Sequence, residues 1–292
     1  MPEPQNVAMI GLGIMGGAIA RNLAGAGFAL AGYDVDAGKM AALAKDGVRQ
    51  ANSAAGAVGG AAIALTSLPS VAALEATVAE LAANPAPGLV VVEISTLPIA
   101  AKEAARDRLA AAGMILLDCP LSGTGAQAAV KDLAVYASGE EAAFGRCREL
   151  FAGFARVTHY LGAFGNGSRM KFVANLLVSV HNVAAAEAIV LGTKAGLDPA
   201  RILEVIASGA ANSRIFELRG PMMAAGEYTP PTATMHVLQK DSAIIAEFAR
   251  SLGVATPTLD AAAPLYDEAE HAGYAEEDVA AVHAVLARRA GL

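Results

Sequence analysis

The chain has 292 residues, 55% of them hydrophobic, enough to build a sizeable core in one large or two ordinary domains. A formal charge of −7 and a pI near 5.3 argue against a general nucleic-acid or anionic-membrane surface, so an anionic ligand would need local positive groups. Cys119 and Cys147 form neither a disulfide framework nor a Cys-x-x-Cys metal signature, and no basic segment precedes the first apolar run at Val7, so the chain reads as cytoplasmic without a secretion signal.

Short apolar runs alternate with Ala-rich helical stretches: Val7–Ile10, Leu30–Tyr33, Ala62–Thr66, Leu89–Ile94 and Met114–Leu117. That rhythm predicts a parallel sheet covered by helices. Leu133–Ala137 follows too closely for a full crossover helix, and an antiparallel edge is expected there. From Ser168 onward only helical periodicity remains, broken by caps such as Asp198-Pro199. A helix from Ser168 to about Ala195 would run roughly 40 Å. Its apolar portion, Phe172–Leu191, contains Asn175, Ser179, His181, Asn182 and Glu187, which favours a buried helix over a membrane span. The predicted architecture is α/β: a doubly wound sheet domain over 1–164, then an all-helical substrate and oligomerisation domain over 165–292, joined by the long helix.

Gly11-Leu12-Gly13-Ile14-Met15-Gly16 directly follows the first run and opens a helical stretch. In a Rossmann unit the first glycine makes the turn, the second lets backbone approach a pyrophosphate, and the third lets helix and strand pack closely. Asp34, 21 residues after Gly13, closes the second run and is placed to bind ribose hydroxyls. No arginine follows it, which favours NAD over NADP, although Lys39 stands nearby to assist a 2′-phosphate.

Lys171 and Asn175 lie four residues apart, an amine and an amide on one face of an otherwise apolar helix. Gly165 and Gly167 before them are expected to bring the helix start close to a ligand. Alcohol oxidation needs a base at the hydroxyl, and desolvation plus a second cation, for which Lys240 is the candidate, would fit a lysine for that work. The competing reading of Lys171 is a surface lysine with its charge in water. Ser122-Gly123-Thr124 follows the fifth run, at the end of a strand where such sheets bind ligands, and offers N–H groups and hydroxyls to a carboxylate; a plain turn is the alternative. Arg169 and Arg214 are further candidate carboxylate ligands, with an exposed helix arginine an equal reading of Arg214. Cys119 reads as packing, and the five histidines show no metal-ligand spacing, so no metal is expected.

These motifs together resemble the β-hydroxyacid dehydrogenase family, which includes 3-hydroxyisobutyrate dehydrogenase and tartronate semialdehyde reductase and shares the 6-phosphogluconate dehydrogenase type of fold. The resemblance runs through Gly11–Gly16 with Asn22-Leu23, Leu68-Pro69-Ser70, Ser95-Thr96, Asp118–Thr124, Lys171 with Asn175, and Lys240-Asp241. It implies that Leu68, Pro69 and Thr96 border the cofactor, that Lys240 stands near its nicotinamide end, and that Lys171 is catalytic, with Asn175 binding substrate beside Ser122, Gly123 and Thr124. It also implies homodimers or homotetramers, and a substrate that is a small carboxylate-bearing hydroxy acid or its semialdehyde. Glu93 replaces a frequent aspartate beside the cofactor loops; Thr124 replaces a second glycine and Ala174 an asparagine, two departures that bear on substrate choice. The competing functions are a catalytically silent dinucleotide sensor or scaffold and an imine reductase-like enzyme; relatives of the latter kind generally replace the lysine that this chain keeps.

Overall fold

The structure, a computed structural model, describes residues 5–292; Met1–Pro4, part of the segment read for a secretion signal, lie outside them. The chain divides into two units, Met1–Lys171 and Phe172–Leu292, with the division inside one long helix.

In the first unit, β1 (Asn6–Ile10), β2 (Ala29–Tyr33), β3 (Arg49–Gln50), β4 (Ile63–Thr66), β5 (Val90–Glu93) and β6 (Ile115–Asp118) form an all-parallel sheet in the order β3-β2-β1-β4-β5-β6. This is the doubly wound dinucleotide-binding order, in which strands run outward in both directions from β1. The crossovers are α1 (Ile14–Gly25), α2 (Ala37–Ala44), α3 (Ala54–Val58), α4 (Val71–Ala83) and α5 (Ile99–Ala111). Val7 and Met9 of β1 enter one apolar cluster while Ala8 and Ile10 enter another, so each strand feeds both faces. That explains why the strands read as continuous apolar runs.

After β6 the chain builds a second, three-stranded sheet from β7 (Leu121–Ser122), β8 (Ala134–Ala137) and β9 (Val157–Tyr160), interleaved with α6 (Gly125–Ala129), α7 (Glu141–Arg146) and α8 (Arg148–Phe154). The expected antiparallel strand is β8, but it pairs antiparallel with β7 and parallel with β9 rather than edging the main sheet. A single antiparallel bridge, Asp118 with Ser138, links the two sheets. β7 is only two residues long and β9 is half-exposed, so neither carried an apolar run to betray it.

The long helix is α9 (Asn166–Lys194). The second unit continues through α10 (Pro199–Ala207), α11 (Arg214–Ala225), α12 (Met235–Ser251), α13 (Pro257–Ala269) and α14 (Val282–Arg289), with no strand among its described residues. α10 starts as expected: the Asp198 side chain accepts from Arg201 N, and Pro199 occupies the first turn. Val183, Ala186 and Ile189 of α9 pack with Phe216, Met235 and Tyr266. By length and composition α9 could cross a membrane. Two polar residues within its apolar stretch are bonded inside the helical unit: Ser179 to Ser242 at 3.1 Å, and Asn182 Nδ2 to Val279 O at 2.8 Å. Buried polar groups generally find partners of this kind.

Candidate active site

The turn after β1 separates the three motif glycines by what surrounds them. Gly11 has φ +87°, and a Cβ there would stand 2.1 Å from Ser67 O. A Cβ on Gly16 would stand 1.9 Å from Gly11 O. Both are required by the protein's own backbone. A Cβ on Gly13 would meet nothing within 4 Å. It is the N-cap of α1, with no side-chain cap and no acidic residue in the first turn. The helix therefore presents its first N–H groups beside open space, the arrangement that suits a phosphate. Asp34 accepts from Leu12 N at 2.7 Å and from Asp36 N at 2.9 Å, with Lys39 Nζ 3.6 Å away. Ionised, it still has lone pairs for ribose hydroxyls. These residues fit a dinucleotide. Leu12 is buried, Met15 is half-buried and Ile14 is exposed.

The neighbouring loops are tied to one another. Leu68 N donates to Ser95 Oγ at 2.7 Å, which joins the Leu68-Pro69 loop to Ser95-Thr96. Asn22 Nδ2 donates to Ala128 O at 2.7 Å, and a Cβ on Gly125 would meet Ile14 Cγ2 at 2.4 Å, so α6 packs against α1. Ser122 ends β7, and Gly123 has φ +138° with Leu133 close behind it. Thr124 is occupied: it forms a capping box with Gln127, its N–H donating to Gln127 Oε1 at 3.0 Å. Gln127 N in turn donates to the Thr124 hydroxyl oxygen at 3.4 Å, a partner three residues on that the motif alone did not show.

Beneath these loops lies a cluster that sequence reading did not assemble. Glu93 and Asp118 end β5 and β6 as cross-strand partners. Lys102 of α5 stands between them, 2.9 Å from Asp118 and 3.9 Å from Glu93, and none of the three is more than 1% exposed. Glu93 also accepts from Thr66 Oγ1 at 2.6 Å and Ser95 N at 2.5 Å. Asp118 accepts from Ser168 N at 2.8 Å and Ser168 Oγ at 2.7 Å, in the first turn of α9. The available signals were a lone lysine in an Ala-rich helix and acids closing two apolar runs.

Gly167, before Lys171, makes a close approach that its sequence did not specify. A Cβ on Gly167 would lie 2.2 Å from Tyr136 O and 2.7 Å from Asp118 O, and Gly167 N donates to Ser138 Oγ at 2.9 Å. The close approach is to the protein's own strands, which seats the helix start. Lys171 and Asn175 follow one turn apart, 9% and 7% exposed. Lys171 is therefore not the solvated surface lysine of the competing reading. In the helical unit, Asn175 Nδ2 donates to Asp241 Oδ2 at 2.7 Å, and Lys240 Nζ lies 3.2 Å from Asp241 Oδ1.

Other candidates stand apart from this chemistry. Arg169 is exposed and bonds Asn166 Oδ1 at 3.0 Å. Arg214 is exposed and pairs with Glu217 at 3.0 Å; Asn212 and then Arg214 hold the Glu217 carboxyl below the usual range. Burial, followed by Asp118, pushes the Cys119 thiol up, in keeping with packing. No group of three or more His, Cys, Asp or Glu gathers as a metal site among the described residues.

Residues 6–162 match the family described as the NAD binding domain of 6-phosphogluconate dehydrogenase. Residues 165–286 match the one described as NAD-binding of NADP-dependent 3-hydroxyisobutyrate dehydrogenase. The chain is 34% identical to an L-threonate dehydrogenase of Cupriavidus necator, covering 95% of each protein. It is 31% identical to an NAD-dependent L-serine dehydrogenase of Pseudomonas aeruginosa, covering 95% of this chain and 96% of that one. The crystal structure of a 3-hydroxyisobutyrate dehydrogenase from Salmonella typhimurium superposes with a TM-score of 0.88 at 31% identity, covering 96% and 99% of the two chains.

Proposed function

Because the chain belongs to the β-hydroxyacid dehydrogenase family, we propose that Lys171 is the general acid/base of a hydride transfer between a small hydroxy acid and NAD. The protein is an oxidoreductase of hydroxy acids that uses a nicotinamide dinucleotide, with NAD preferred. The observation that carries the lysine assignment is its burial at 9% exposure in the first turns of α9. Lysines are seldom buried to that degree without a task or a partner.

Bound nicotinamide supplies the hydride acceptor or donor. The chain supplies the rest. The Gly11–Gly16 turn holds phosphate oxygens through the N–H groups at the start of α1, Asp34 binds the ribose hydroxyls, and Leu68, Pro69, Thr96 and Lys240 border the cofactor. Ser122, Gly123 and the Thr124 hydroxyl grip the carboxylate, and Thr124 also caps α6, which fixes their loop. Asn175 orients the substrate, and its amide is itself held by Asp241. In oxidation the Lys171 amine takes the hydroxyl proton, and in reduction its ammonium returns one to the carbonyl oxygen.

L-Threonate and L-serine, the acids named in two relatives, each carry a carboxylate and a hydroxyl on the third carbon. An acid of that pattern is the proposed substrate. Dinucleotide binding is assigned to 1–164 and substrate binding with oligomerisation to 165–292, in a cytoplasmic dimer or tetramer with no nucleic-acid or membrane partner.

Lys171→Ala should lower kcat by about 10²–10⁴-fold while NAD still binds. Near-normal turnover sinks the lysine assignment. A panel of threonate, serine, glycerate, 3-hydroxyisobutyrate and 4-hydroxybutyrate with NAD and NADP identifies the acid by absorbance. Binding of NAD with no turnover on any of them would favour a silent sensor.

A further inference from the structure

The Lys102 cluster touches neither the glycine turn nor the substrate loop directly, yet it is bonded to segments that carry both. Asp118 is saturated. Its Oδ1 takes Lys102 Nζ at 2.9 Å and Ser168 Oγ at 2.7 Å, and its Oδ2 takes Ser168 N at 2.8 Å and Ser138 Oγ at 3.2 Å. Ser168 lies in the first turn of α9, three residues before Lys171 and so on the same side of the helix. On the other side of Lys102, Glu93 fixes Ser95 N, and Ser95 Oγ fixes Leu68 N. One buried cation thus stands among the groups that seat the start of the Lys171 helix and the two loops assigned to the cofactor.

We propose that Lys102, acting through Asp118 and Ser168, is a positioning residue: it sets where the Lys171 amine stands and, through Glu93, where the Leu68 and Ser95 loops stand. The inference rests on Lys171 being the acid/base. The physical reason is that a carboxylate with two short bonds to one helical residue fixes both the rotation and the axial seat of that helix. A lysine ammonium directs three donors and neutralises a charge that would otherwise repel its cross-strand neighbour. A misplacement of about 1 Å at a catalytic group is enough to cost on the order of 100-fold in rate.

The two arms of the cluster separate in kinetics. Ser168→Ala touches only the helix arm, removing the Oγ bond to Asp118 and leaving the Ser168 N bond, and is a small change. It should lower kcat at least tenfold while leaving the NAD KM within twofold. Lys102→Met cuts both arms and should lower kcat and raise the NAD KM together. Single-turnover rates at excess enzyme close the cycle: Ser168→Ala should slow Lys171→Ala no further, because its effect passes through the lysine.

Full kcat in Ser168→Ala, or an equal additional slowing in the Lys171→Ala background, overturns the proposal. So does a Lys102→Met protein whose melting temperature falls while kcat and KM stay put. If Lys171→Ala itself turns over normally, the acid/base reading has failed. If Lys171→Ala is dead and Ser168→Ala is not slowed, only the positioning role has failed.

Discussion

Asp34 is the residue at which cofactor choice can be read as physical chemistry. Its carboxylate holds the glycine turn through Leu12 N and its own loop through Asp36 N, while Lys39 approaches at 3.6 Å from a half-exposed position. Ribose hydroxyls can donate to such a carboxylate, whereas a 2′-phosphate would meet like charge, relieved only partly by Lys39. A hydrogen bond to a charged group contributes about 1.5–3 kcal/mol, which corresponds to roughly tenfold to hundredfold in affinity. Asp34→Asn keeps an acceptor for the turn and removes the charge. It should narrow the NAD:NADP ratio of kcat/KM by about tenfold to hundredfold, and adding Lys39→Ala should lower the NADP term without moving the NAD term. An unchanged ratio in steady-state assays would mean that Asp34 is a structural residue of the turn and not the discriminator. The residues legible at this scale were those with local signatures: glycines at fixed spacing, an acid after a strand, a lysine in a greasy helix. Lys102 and Ser168 were not legible, because their meaning depends on Asp118, 16 and 50 residues away in the chain.

Among the elements, the turn into α1 makes the most decisive comparison, because three glycines that look alike in sequence differ in their surroundings. Gly16 is filled from behind by Gly11 O, so a methyl group there must displace backbone. Gly13 has an ordinary φ of −64° and open space around it. Gly13→Ala should therefore leave the melting temperature close to wild type while weakening NAD at least tenfold, since only a bound ligand would meet the new methyl group. Gly16→Ala should instead destabilise the whole first unit by about 1–3 kcal/mol or more, the usual cost of overpacking. Calorimetry of both variants alongside NAD titration tests the pair, and a Gly13→Ala protein that binds NAD normally would remove the turn from the cofactor site. The parallel strands were readable because burial on both faces leaves continuous apolar runs. β7, β8 and β9 were only partly readable: their pairing is set by the bridge from Asp118 to Ser138 and by contacts along short strands that local pattern does not encode. The packing of Gly167 was not legible for a related reason. Glycine signals close approach but not to what, and at Gly167 the neighbours are Tyr136 O and Asp118 O.

For the whole molecule, the helix that carries Lys171 also carries its unspent apolar surface. On α9, Val173, Leu177 and Leu191 are 58%, 49% and 72% exposed, with exposed Ala184 between them. Their positions repeat at four, seven and seven residues, so they form one stripe along the helix rather than scattered apolar residues. A stripe of that kind on a long helix marks a surface that another apolar face covers. In a two-fold dimer each stripe residue counts twice, because the same patch serves both subunits. Burying one leucine contributes about 1.5–3 kcal/mol, so a single Leu→Glu change in the stripe should weaken a symmetric pairing by roughly 3–6 kcal/mol, two to four orders of magnitude in dissociation constant. Light scattering at micromolar concentration should give a mass of two or four times the 29.4 kDa chain. Leu177→Glu should move that mass toward the monomer while the melting transition persists, since Leu177 is not part of the apolar core of the second unit. A wild-type monomer at that concentration, or an oligomer indifferent to Leu177→Glu and Leu191→Glu together, would place the assembly surface elsewhere.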